Sequence, residues 1–392
     1  MTRATPLMDR LIRRSLEHAV PLCVQFDLTY RCNERCVHCY LDHQGDGEMD
    51  TAEVRRVLQE LSQAGALFLT FSGGEVFLRR DFFQLAAEAR RLHFDVSLKT
   101  NGILIDAVGA LRLKALGVRR AQISIYSADP AVHDAVTKVR GSFERSVDAL
   151  RLLRQEGLRV TLACPLMRQN VGGYRAVLAL AERLGVHSLL DASITPKIDG
   201  GPGPLEFRSP AADLLPVLAD PVLNPRVKRS PTSMDGEAPD DALRDIPCSA
   251  GHYSCYISPY GDVYPCVQMP LAAGNLRRHS FEEIWHGSAK MRQVRWLRES
   301  SVPVCRACPI RGYCQRCPGL ALIEGGDLLG PWQRACELAE QTARLAGMRD
   351  PVSAWHARRP GEAEGPVFFA VARSEAIPKT GEVTWNQTAK PL

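Results

Sequence analysis

The sequence contains no apolar run that approaches the roughly 18 residues of a membrane-spanning helix, so none is expected. Its first stretch, MTRATPLMDRLIRRSLEHAV, is basic but lacks the apolar segment of a secretory signal, and a cytoplasmic location is the expectation. Also missing is a basic block interleaved with aromatics. Lys and Arg number 49 against 44 Asp and Glu, a net charge of +5, which argues against nucleic acid as a partner. With 392 residues, 45% hydrophobic and 24% charged, the chain is long enough for two or three globular domains of roughly 100–200 residues each.

Cysteine, by contrast, is plentiful. Thirteen would suggest a disulfide framework in a small secreted chain, but this chain is long, has no secretory signal and holds an odd number. Metal binding is the better reading. Three of the thirteen lie in CNERCVHCY, at Cys32, Cys36 and Cys39, and eight lie between Cys248 and Cys336. The remaining two, Cys23 and Cys164, sit in apolar runs, where an isolated cysteine serves as a small buried hydrophobe.

From about residue 22 to 195 the chain alternates two textures. β-rich apolar runs occur at 24–29, 67–72, 94–100, 120–126, 158–166 and 187–194. Between them lie stretches with apolar residues three and four apart, at 51–65, 81–92, 143–157 and 174–185, the period of a helix with one buried face. Strands alternating with helices predict an α/β fold with a parallel sheet. Six βα units are too few for a closed eight-fold barrel, so an open, partial barrel, (βα)6, is expected. Two polar stretches, 195–210 and 228–241, read as a connection between domains or an active-site loop. Beyond about Ala346 there are no cysteines and no clear period, only an apolar patch at 366–372.

Cys32 follows the first strand directly, which puts the three cysteines at the sheet edge where parallel α/β folds bind ligands. Thiolates favour iron–sulfur clusters, zinc or copper(I). A [4Fe–4S] cluster held by three thiolates would keep one iron open, whereas a zinc site would need His38 or His43 as a fourth ligand. The distal cysteines run Cys248, Cys255 and Cys266, then Cys305-x2-Cys308-x5-Cys314-x2-Cys317, then Cys336. Eight thiolates suffice for two [4Fe–4S] clusters, and a pair of zinc ribbons shares the C-x2-C spacing.

The spacing C-x3-C-x2-C resembles the signature of the radical S-adenosylmethionine (SAM) superfamily, and Gly73-Gly74-Glu75, at the end of the second strand, resembles that family's GGE motif. The resemblance implies that the Gly-Gly backbone and Glu75 bind the amino group of SAM. It implies further contacts to SAM from Asn101 and Ser124, at the ends of the third and fourth strands, and a place for His38 beside the adenine. The distal region resembles the SPASM domain, which holds auxiliary clusters in many of these enzymes. The matching elements are Ser258-Pro-Tyr-Gly-Asp-Val-Tyr-Pro-Cys266, Asn275-Leu276 and Phe281-Glu-Glu-Ile-Trp285, while Cys314-x2-Cys317 departs from the x3 of many relatives. By that resemblance one auxiliary cluster takes Cys248, Cys255, Cys266 and Cys317, and the other Cys305, Cys308, Cys314 and Cys336.

The organisation this implies is a barrel over 1–195, a connecting segment over 196–247, a SPASM domain over 248–346 and a tail over 347–392. The implied cofactors are three [4Fe–4S] clusters and SAM. The implied chemistry is reductive cleavage of SAM to a 5′-deoxyadenosyl radical that abstracts a hydrogen atom from the substrate, with the electron supplied by a flavodoxin or ferredoxin. Most SPASM relatives modify peptides or proteins, so a ribosomally made precursor peptide is the expected substrate. No separate leader-binding domain is evident, so a partner protein, the 196–247 segment or the tail would bind the leader. Two other activities remain open: modification of a tetrapyrrole, and formylglycine formation of the sulfatase-maturase type. The latter relatives carry an Asp where this chain has Val267. A non-catalytic metal or electron-transfer protein is the remaining alternative.

Overall fold

The structure, a computed structural model, describes residues 6–228, 245–353 and His356. The 366–372 patch, nearly all of the 347–392 tail and most of the 228–241 stretch lie outside the described residues.

Six parallel strands form where the sequence predicts them: β1 (Cys23–Thr29), β2 (Phe68–Gly73), β3 (Asp95–Thr100), β4 (Arg120–Ser124), β5 (Arg159–Pro165) and β6 (His187–Asp191). Up to β6 the helices are α1 (Pro6–Glu17), α2 (Thr51–Gln63), α3 (Phe82–Arg91), α4 (Ala107–Ala115), α5 (Pro130–Thr137), α6 (Ser142–Gln155) and α7 (Tyr174–Leu184). Of these, α2, α3, α6 and α7 coincide with the periodic stretches. The start of α2 is set locally: Asp50 accepts from the Glu53 N–H and Glu53 reaches back to the Asp50 N–H, a reciprocal cap. Val54, Val57, Leu58 and Leu61 then form one fully covered stripe, which packs on the outer face of the sheet with Val24, Phe26 and Leu28.

The strand order is β6-β5-β4-β3-β2-β1, continued by β7 (Ser254–Ile257), β8 (Asp262–Tyr264) and β9 (Gly274–Asn275). Among the described residues β6 and β9 are the edge strands, so the barrel is open, as the βα count predicts. What the count does not predict is that the cysteine-rich region joins the same sheet. β7 lies parallel to β1, Val24 opposite Cys255 and Phe26 opposite Ile257, and β8 and β9 add on antiparallel. The sheet therefore runs across the domain boundary expected near residue 248.

The junction is held on both faces. Outside, Phe281 and Trp285 stack with ring centroids 5.9 Å apart, and the Trp285 indole donates to the Ala19 carbonyl at the end of α1. Inside, the Tyr256 hydroxyl on β7 donates to buried Asp27 on β1 at 3.0 Å and lies 2.7 Å from the Tyr30 hydroxyl. The Lys99 ammonium donates to Gln25 on the same inner face at 2.8 Å. Burial pushes the Asp27 carboxyl up to about 6, against the pull of its Gln25 and Tyr256 hydrogen bonds and of Lys99.

A candidate radical centre beside two further thiol groups

β1 and β2 slip register between Asp27 and Thr29, and the chain leaves the sheet there into the Cys32–Tyr40 loop. Gly73 and Gly74 lie directly beneath that exit. A Cβ on Gly73, whose φ is +136°, would stand 2.1 Å from the Thr29 carbonyl oxygen, and one on Gly74 would stand 2.3 Å from that of Arg31. Only glycine allows the two backbones to meet. In return the Gly74 and Glu75 N–H groups donate to the Thr29 and Arg31 carbonyls, at 2.8 and 2.9 Å. The loop's far side is tied to the end of α5, where the Arg35 and Val37 N–H groups donate to the Thr137 and Val136 carbonyls at 3.0 Å each.

This brings Cys32, Cys36 and Cys39 together: Cys39 acts electrostatically on both of the others. Burial pushes the thiols upward, Cys32 to about 12. Three buried thiols on one loop fit a bound metal, which would draw off their protons. Among the described residues, no three His, Cys, Asp or Glu side chains are gathered tightly enough to hold a single metal ion. Among the described residues, neither His38 nor His43 stands in such a group. His38 instead lies edge-on to Tyr126, with centroids 5.0 Å apart, and burial lowers it to about 4, so its ring is neutral.

Glu75 is fully buried. Its carboxylate accepts from the Thr100 hydroxyl at 2.7 and 2.8 Å, from the Asn101 N–H at 2.9 Å and from the Phe77 N–H at 3.2 Å. Burial raises its pKa, and no cationic group is among the causes that offset the rise. Three donors leave room at one of the roughly four lone-pair positions of a carboxylate. A buried carboxylate with an unused acceptor and no countercharge fits an ammonium delivered by a ligand. Asn101 belongs to the same group, since its Nδ2 donates to Asn33 at 2.7 Å, beside Cys32. Ser124, at the end of β4, is half-buried, and among the described residues its hydroxyl bonds to none of these groups.

Sequence reasoning missed Glu34 and the contact of Tyr126. The Cys36 sulfur lies 3.1 Å from Glu34 Oε2 and 3.5 Å from the Tyr126 hydroxyl. Glu34 is almost wholly covered, its Oε1 has no hydrogen-bond partner among the described residues, and burial pushes the group to about 7. The available signal was an ionisable side chain between two ligand-spaced cysteines, Cys32 and Cys36.

Two further thiol groups form in the C-terminal region. Cys248 interacts with Cys266 and Cys317, and Cys317 with Cys266. Cys314 interacts with Cys336, Cys305 and Cys308, and Cys336 with the latter two. Cys255 joins neither group but lies in β7 among outer-face side chains. Between the Cys32–Cys39 loop and the Cys248 group lies a cavity of about 180 Å³. His38 and Tyr40 line it on one side, Val267, Gln268 and Leu320 on another, and the chain after β6 closes it with Thr195 and Ile198. The Ile198 N–H donates to the Tyr40 carbonyl at 2.9 Å, so the expected connecting segment does wall the site.

Residues 26–181 match the family described as the Radical SAM superfamily, and residues 248–309 match SPASM, the iron–sulfur cluster-binding domain. The mycofactocin maturase MftC of Mycobacterium ulcerans is 32% identical over 346 residues, which are 84% of this chain and 91% of that protein. The chain belongs to the radical SAM superfamily. An AdoMet-dependent heme synthase of Nitratidesulfovibrio vulgaris is 29% identical over 342 residues, 80% of this chain and 92% of the relative. The fold also resembles that of anSMEcpe, solved with bound AdoMet. The TM-score is 0.63 at 16% identity, covering 83% of this chain and 99% of the other. This radical SAM enzyme therefore carries a C-terminal SPASM region with its barrel. Its cofactors are iron–sulfur clusters and SAM. Among the described residues no helix is long and apolar enough to cross a membrane.

Proposed function

We propose that this enzyme modifies a side chain of a precursor peptide, and that the reacting residue enters the cavity between the Cys32–Cys39 loop and the Cys248 group. The cavity's size carries this reading. At about 180 Å³ it admits one or two side chains, and it falls below the roughly 300–1,000 Å³ of pockets that enclose whole drug-sized ligands. A peptide needs only one residue inside, with the rest lying across the surface. The likeness to mycofactocin maturase supports the same substrate class.

In this reading Cys32, Cys36 and Cys39 hold the cluster that, with SAM bound, supplies the one-electron cleavage and the radical that abstracts hydrogen. The chain's own groups do the positioning. Gly73 and Gly74 allow the cluster loop to sit against the end of β2. The Glu75 carboxylate receives the ammonium of SAM, and Thr100 and the Asn101 N–H keep it pointed and desolvated. His38, packed on Tyr126, borders the cavity and would lie beside the adenine of SAM. Ser124 is assigned to SAM at the end of β4. Cys248, Cys266 and Cys317 would hold one auxiliary cluster, and Cys305, Cys308, Cys314 and Cys336 the other. A flavodoxin or ferredoxin is proposed as the reductant, and a separate protein as the leader-binding partner. The domain limits are proposed as 1–195, 196–247, 248–346 and 347–392, with β7–β9 completing the sheet of the first.

The test is to incubate the anaerobically reconstituted enzyme with SAM, a strong reductant and the small peptides encoded beside its gene. A mass change in one of them, coupled to 5′-deoxyadenosine formation, is expected; SAM cleavage with every peptide unchanged would sink the reading. The 29% identity to an AdoMet-dependent heme synthase favours one competitor, modification of a tetrapyrrole. Soret-band shifts on mixing with porphyrins would favour it. Formylglycine formation is disfavoured because the cavity wall next to Cys266 is Val267, which cannot act as a base.

A further inference from the structure

We infer that the auxiliary cluster of Cys248, Cys266 and Cys317 is held by three thiolates rather than four, because β7 turns Cys255 to the opposite face of the sheet, and that its fourth corner takes an exchangeable ligand. This inference rests on the cluster reading above. It departs from the four-cysteine set that the family resemblance assigns.

The geometry is that of strand alternation. Side chains directly opposite on neighbouring strands share a face, and successive ones alternate. Cys255 stands opposite Val24, and Val24 packs with Phe26, Leu28 and the α2 stripe on the outer face. Cys255 is 3% exposed in that same packed layer, with Phe281, Trp285 and Met291. The next residue, Tyr256, points the other way, to Asp27 and Tyr30 on the inner face. Cys266 lies on the inner side as well, within the field of Lys99, and packs in a different apolar group with Ala250, Met269 and Val294. The electrostatic neighbours of Cys255 are Cys23 and Arg295, not Cys248, Cys266 or Cys317. To reach them Cys255 would have to cross the sheet, and a one-residue slip of β7 would turn Tyr256 and Ile257 to the wrong faces.

Nearer candidates for the fourth corner exist. The Cys317 sulfur lies 3.8 Å from Gln268 Oε1, and Gln268 itself lines the cavity. An amide oxygen is a weak ligand for the soft iron of a thiolate-bound cluster, so it would yield to a stronger donor. The open corner and the substrate cavity then share a wall.

The test uses full-length protein in which Cys32, Cys36 and Cys39 are all changed to Ala, so that only auxiliary iron remains. Cys255→Val is then added. Valine suits an apolar strand position beside Val24, and Cys255→Ala serves if valine overpacks. The expected result is about eight irons per chain with or without the Cys255 change, from two clusters of four. Addition of ¹³C-cyanide to the reduced protein should give ¹³C hyperfine coupling of the same size in both. Loss of about four irons on changing Cys255 overturns the inference, as does the absence of ¹³C coupling. Failure of the unaltered protein to bind iron would instead overturn the cluster reading itself.

Discussion

At the scale of single residues, the site depends on two kinds of residue that do no chemistry of their own. Gly73 is needed because nothing larger fits under Thr29. Gly73→Ala combines a φ of +136° with a 2.1 Å approach, and should cost stability of order 1–3 kcal/mol while displacing the cysteine loop. Lowered thermal stability together with weaker SAM binding would check this. Glu75 is the opposite case, a fully buried carboxyl held by three donors and with no cation among its neighbours. Glu75→Gln keeps the shape but removes the charge, and should weaken SAM binding about tenfold or more, with iron content unchanged. Cys36→Ala should abolish SAM cleavage and remove at most about four irons per chain. The GGE motif was legible as a sequence pattern. The roles of its atoms were not, because Thr100 and Asn101 come from a strand one βα unit away and only the sheet brings them to Glu75.

At the scale of elements, β1 is the hinge of the design. It delivers Cys32 to the sheet edge, pairs with β2 on one side and with β7 on the other. Asp27, buried between β1 and β7, gives this junction a pH signature. Its folded value of about 6 lies above the ordinary 3.8, so the folded state holds the proton more tightly than the unfolded state. That contribution is complete below pH 3.8 and is lost as pH rises through about 6, a change of roughly 2–3 kcal/mol. Asp27→Asn does not titrate there. Relative to it, the parent protein should lose stability between about pH 4 and 6 in denaturant unfolding, and parallel curves would show that Asp27 is not desolvated. The strand positions were readable because apolar alternation and flanking turns reported them. The pairing of β7 with β1 was not, since four residues of local pattern say nothing of a partner more than 200 residues distant.

At the scale of the whole molecule, the cysteine-rich region shares the barrel's sheet through β7, β8 and β9. The Arg208 guanidinium on the connecting segment pairs with Glu324 at 2.7 Å and so ties that segment to the cysteine-rich region. Metal removal should therefore be felt beyond the distal region. Chelation of the iron should loosen the chain after β6, measurable as faster hydrogen exchange at Ile198, whose N–H is bonded to Tyr40 beside Cys39. Reconstituted protein should contain about twelve irons and twelve acid-labile sulfides per chain; zinc in their place would overturn the mechanism.

The sequence by itself determined the chemistry available to this protein. Cys-x3-Cys-x2-Cys after a strand, the GGE turn and the eight distal cysteines are local patterns, and ligand spacing within one loop survives without knowledge of the fold. The six-strand count and the positions of the longer helices were likewise local, set by hydrophobic period. Spacing along the chain did not decide which cysteines meet. Cys317 joins Cys248 and Cys266 although its sequence neighbours Cys305, Cys308 and Cys314 join Cys336. Cys255, midway in sequence between two grouped thiols, faces away from them. The physical reason is that a strand has a period of two, so one position of register sets which face a side chain takes, and that register is fixed by the neighbouring strand, not by the spacing of cysteines along the chain.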